Sequence, residues 1–173
     1  MSNKSDYTPE EWAKLMDLPM VAATAVIMAA PNPMGLPDEV SAEGAAYEQL
    51  QQPGIETELL HALRADLHER WERRDDLDAP SPELPLYIGG VHYYDPVLER
   101  KELSALAGDV AAILQDRAMP EEAAAYKQFV MDTATAVAYA SKEGGGFLGF
   151  GRKNITDREL SMLDTLSAAL GIA

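Results

Sequence analysis

Apolar residues recur every three or four positions along much of this chain, and that spacing constrains its fold more than any other feature. Ile55, Leu59, Leu60, Leu63, Leu67 and Trp71 fall on one side of a helix running from residue 55 to about residue 76, because an α-helix returns to the same face every three to four residues. Leu103, Leu106, Val110, Ile113 and Leu114 define a second stripe, closed before Pro120, and Tyr126, Phe129, Val130, Ala134 and Val137 define a third. Each stripe has to be covered to leave water, and the partners that this sequence offers are other helices.

Helix boundaries are written with similar clarity. Thr8-Pro9-Glu10-Glu11 combines an N-cap threonine, a proline at the first helical position and a glutamate three residues after the cap. The two side chains of such a capping box satisfy backbone N–H groups that have no partner inside the helix. Trp12, Leu15 and Met16 follow on the apolar side. Pro19 lacks the N–H that the helix interior needs, so a break or kink is expected there, with a second, almost wholly apolar helical piece from Met20 to Ala30. Ser41 reads as the cap of a helix reaching about Gln51, stopped by Pro53-Gly54. Thr156-Asp157-Arg158-Glu159 is another capping box, and the helix it opens is expected to bury Leu160, Leu163, Leu166 and Leu170 before Gly171.

Between these helices, residues 75–85 are rich in aspartate and proline and form the one internal linker. Leu86-Tyr87-Ile88 and Val91-His92-Tyr93-Tyr94 flank Gly89-Gly90, which predicts a small β-hairpin near 86–94 that must pack on the helices to be stable. Ala23-Thr24-Ala25-Val26 returns as Ala134-Thr135-Ala136-Val137, an offset of 111 (134 − 23), consistent with an internal duplication. The predicted fold is mainly α: a compact multi-helix domain of six or seven helices with a hairpin, spanning residues 1–173 as a single unit.

A formal charge of −15 disfavours binding to nucleic acid and to anionic membranes. The longest apolar run, Met20 to Pro31, falls short of the roughly 20 residues that a membrane span requires. With no cysteine there is neither a disulfide nor a thiolate ligand or nucleophile. The first residues, Met1-Ser2-Asn3-Lys4, lack the basic-then-apolar pattern of a secretory leader, so the expected location is cytoplasmic.

Three groups of residues are candidates for function. The segment Glu143-Gly144-Gly145-Gly146-Phe147-Leu148-Gly149-Phe150-Gly151-Arg152-Lys153 sets three large apolar residues among five glycines. It is not a phosphate loop, because Arg152-Lys153-Asn154 stands where lysine and then serine or threonine should follow the last glycine, and a helix rather than a strand precedes it. Phe147, Leu148 and Phe150 therefore either dock on the protein's own core or form a contact loop for a partner.

Glu58 and His61 have the Glu-x-x-His spacing of carboxylate-bridged metal bundles, and His68 and Glu72 extend the same helical stripe as candidate metal ligands. Leu59, Leu63 and Leu67 point roughly the other way, so in a monomer this stripe faces solvent. A metal site would need a covering segment or a second chain. Tyr87, His92, Tyr93 and Tyr94 form a candidate patch for a flat ligand or an amine. No serine elbow, catalytic triad or metalloprotease helix is present, and no cofactor is expected.

Val21 to Glu43 and Val137 to Leu166 each place a small-residue helix before a glycine-containing loop and a Ser/Thr-capped acidic helix. This organisation resembles the helical repeats of TerB-like tellurite-resistance proteins. Where that family carries an acidic Asp-Gly turn, this chain has Pro31-Asn32-Pro33 and Glu143-Gly144, a departure that weakens any metal role the resemblance implies. As a whole the chain is more similar to bacterial all-helical proteins than to an enzyme family. The expected role is non-enzymatic, through a protein partner or self-association, the alternative being a helical protein that binds a metal or small ligand.

Overall fold

The computed structural model of the protein describes residues 3–29, 48–49, 52, 57–72, 96–140 and 155–172. Among the described residues it contains five α-helices: α1 (Pro9–Ala29), α2 (Glu58–Glu72), α3 (Pro96–Arg117), α4 (Pro120–Ala140) and α5 (Asp157–Leu170), preceded by a 3-10 turn at Lys4–Asp6. The fold is mainly helical, as the apolar spacing predicts, and the described residues include no strand. The expected count of six or seven helices is corrected to five for these residues. The predicted hairpin near 86–94 and the linker at 75–85 lie outside them, as does the helix expected from Ser41, apart from the helical pair Glu48 and Gln49.

Helix α1 is the hub, packing against each of the other four helices. Its side chains Leu15, Leu18, Ala22, Ala25 and Val26 are almost wholly excluded from water, each large one contributing about 1.5–3 kcal/mol by burial. The expectation of a break at Pro19 is overturned, since α1 runs unbroken from Pro9 to Ala29 with Pro19 inside it. Pro19 has no N–H to offer the carbonyl of Leu15, four residues earlier. The hydroxyl of Tyr126 on α4 donates to that carbonyl at 2.8 Å. A buried carbonyl without a donor costs about 1–3 kcal/mol, and the tertiary hydrogen bond removes that cost.

Helices α1 and α4 are alike well beyond the four-residue match. Both have 21 residues and begin Pro-Glu-Glu. Aligned at the same offset (120 − 9 = 111), ten positions are identical: Pro9, Glu10, Glu11, Ala13, Met20, Ala23, Thr24, Ala25, Val26 and Ala29 match Pro120, Glu121, Glu122, Ala124, Met131, Ala134, Thr135, Ala136, Val137 and Ala140. Leu15 and Tyr126, which meet across the interface, are themselves equivalent positions. Ala23 and Val137 pack together further along, so the two helices run in the same direction.

Around this pair, α3 packs mainly on α1 and α5, while α2 lies against α4 and α1. Leu59, Leu60, Leu63 and Leu67 are buried, as the stripe on α2 predicts. Helix α5 opens with the predicted box, in which the Glu159 N–H donates to the Thr156 hydroxyl at 3.2 Å and the Thr156 N–H to the Glu159 carboxylate at 2.7 Å. It closes at Gly171 in the left-handed conformation, φ 66°. Leu163, Leu166 and Leu170 are buried, but Leu160 is 44% exposed. The buried face of α5 is centred on Glu159, Met162, Leu163, Leu166 and Leu170, and Leu160 sits about 100° round the helix from Glu159.

Candidate functional site

Helix α2 presents two different faces. On the outer one, Glu58, His61, His68 and Glu72 are all exposed, as the positions of the leucines predict. Among the described residues, no three His, Asp or Glu side chains are grouped so as to hold a metal ion.

The flank of α2 towards α1 and α4 carries polar side chains that hold the helices in register. Arg70 donates from Nη1 to Oδ1 of Asp17 on α1 at 2.7 Å, with both side chains partly shielded from water. Asp66 accepts from the Trp12 indole N–H at 2.8 Å and also pairs with Lys4 from the N-terminal turn. The Trp12 ring is 5.6 Å from that of buried Tyr7, which seats the turn on α1. The guanidinium carbon of Arg64 lies 5.4 Å from the Phe129 ring centre on α4, a cation–π contact. Asp66 and Arg70 stand four residues apart. Their spacing is visible in the sequence, but not their partners, which lie 54 and 53 residues away.

Three titratable groups among the described residues are clearly shifted. Burial pushes the Tyr126 phenol well above its ordinary 10.0, and the nearby Asp17 carboxylate adds to the effect. Tyr126 is therefore a neutral donor that stays on the Leu15 carbonyl. The Thr8 N–H holds the Glu11 carboxyl below the usual value, assisted by the Thr8 hydroxyl and Arg117, while the hydrogen bond to Asp109 raises the Lys14 ammonium. Capping, ion pairing and burial account for all three. These groups shape and join helices.

Three large apolar side chains among the described residues are substantially in water: Tyr139 (59% exposed), Met119 (46%) and Leu160 (44%). Tyr139 stands at the end of α4 and Leu160 in the first turn of α5, two helices that pack on each other. In sequence they bracket the glycine-rich stretch. Phe147, Leu148 and Phe150 lie outside the described residues, as do Tyr87, His92, Tyr93 and Tyr94. Leucine spacing alone assigns Leu160 to the core, a placement the structure corrects: Met162, four residues before Leu166 and eight before Leu170, takes the buried position. No described helix is long and apolar enough to cross a membrane. No family model matches the chain, and no curated protein or solved structure is significantly similar to it.

Proposed function

We propose that this protein acts through protein–protein contacts, with the α4–α5 junction as the contact surface. The observation that carries this reading is the exposure of Tyr139 and Leu160, one on either side in sequence of a stretch holding Phe147, Leu148 and Phe150. Exposed apolar side chains on two helices that pack together fit a partner surface better than they fit solvent.

The double variant Phe147→Ser with Phe150→Ser tests the proposal by sedimentation velocity over a concentration series, alongside thermal unfolding. Weakened self-association or partner capture with an unchanged unfolding transition is the expected result. A destabilisation of about 3–5 kcal/mol, the scale of truncating a buried phenylalanine, would place both rings in the protein's own core and overturn it.

A further inference from the structure

We infer that Pro19 and Tyr126 form a single device, a lock in which α4 supplies the hydrogen bond that α1 cannot make for itself. The two halves occupy opposite members of the matched helix pair. At the positions where α1 has Leu15 and Pro19, α4 has Tyr126 and Val130. Val130 retains its own N–H, so α4 has no equivalent gap. Tyr126 is fully buried, and a phenol in such a place needs an acceptor as much as the Leu15 carbonyl needs a donor. One bond of 2.8 Å meets both needs.

The same residue holds two helices together at the point where one of them is weakest. A proline inside a helix ordinarily opens it towards a kink, and here the opening would occur beneath the side chain of the neighbouring helix. Asp17, two residues before Pro19, is tied to Arg70 on α2. The chain around the proline is thus restrained from α4 through a carbonyl and from α2 through a carboxylate. Rigidity of α1 across Pro19 becomes a property of the assembled bundle and not of the helix alone.

A double-mutant cycle of Tyr126→Phe and Pro19→Ala in the full chain, followed by urea unfolding, tests the coupling. Tyr126→Phe is expected to lower the folding equilibrium constant about tenfold when Pro19 is present, the scale of one stranded buried carbonyl. In the Pro19→Ala background the backbone regains an N–H that can reach the Leu15 carbonyl, and the same change is expected to cost about threefold or less. Equal losses in the two backgrounds would overturn the inference. If Tyr126→Phe alone fails to fold, recovery of the helical circular-dichroism signal in the double variant supports the lock. Failure of the double variant, with Pro19→Ala folding normally, overturns it.

Discussion

Helices α1 and α4 start from the same phrase and end in different surroundings. Both open with Pro-Glu-Glu, and both carry Ala-Thr-Ala-Val in their second half, where small side chains permit close approach. The positions that differ record which helix is enclosed. Met16 and Val21 of α1 are buried, whereas their counterparts on α4 are the half-buried Lys127 and the exposed Asp132. Asp132 accepts a hydrogen bond from Gln128 at 2.7 Å on the outer face of α4. One helical frame can therefore serve as a hub or as a wall, depending on a few polar-to-apolar exchanges around its circumference.

Exchanging residues between the two helices should break this relationship unevenly. Val21→Asp places on α1 the residue that α4 carries at the matching position. The unpaired carboxylate is expected to cost about 3–5 kcal/mol, enough to unfold a marginal domain. The reverse exchange, Asp132→Val, should change stability by no more than about 0.5 kcal/mol. Urea unfolding of the two variants measures both effects, and similar losses would show that α1 and α4 are equally enclosed.

The helix starts provide a finer comparison. In α1 the Glu11 N–H donates to the Thr8 hydroxyl at 3.2 Å and the Thr8 N–H to the Glu11 carboxylate at 2.7 Å. In α4 the Met119 N–H donates to Glu122 at 3.2 Å, but methionine brings no hydroxyl, and its thioether is a weak acceptor. Met119→Thr completes the box and should raise stability by about 0.5–1 kcal/mol, read as a higher midpoint with an unchanged m-value. No gain would mean that the start of α4 is already satisfied by other contacts.

Much of this architecture is legible in the sequence because it is local. Thr8, Glu11, Thr156, Glu159 and Gly171 act within a few residues of themselves, and the buried leucines of α2 follow one short period. Pro19 misleads for the opposite reason. Its effect within the helix is visible in the chain, whereas the compensating donor, Tyr126, comes from a different helix 107 residues on (126 − 19). Leu160 misleads on a smaller scale, because leucine identity outweighs an angular position about 100° from Glu159. The candidate contact surface is half legible: the apolar character of 147–150 is plain in the sequence, while the exposure of Tyr139 and Leu160 depends on packing.

Continuity of α1 through Pro19 carries the whole comparison, because without it the hub is two short helices and has no counterpart in α4. Native-state hydrogen exchange across α1 tests that continuity most directly. Backbone amides on both sides of Pro19 should open with the same free energy, matching global unfolding. Opening of residues 20–29 at a distinctly lower free energy than residues 13–18 would reveal a hinge at the proline and contradict the account.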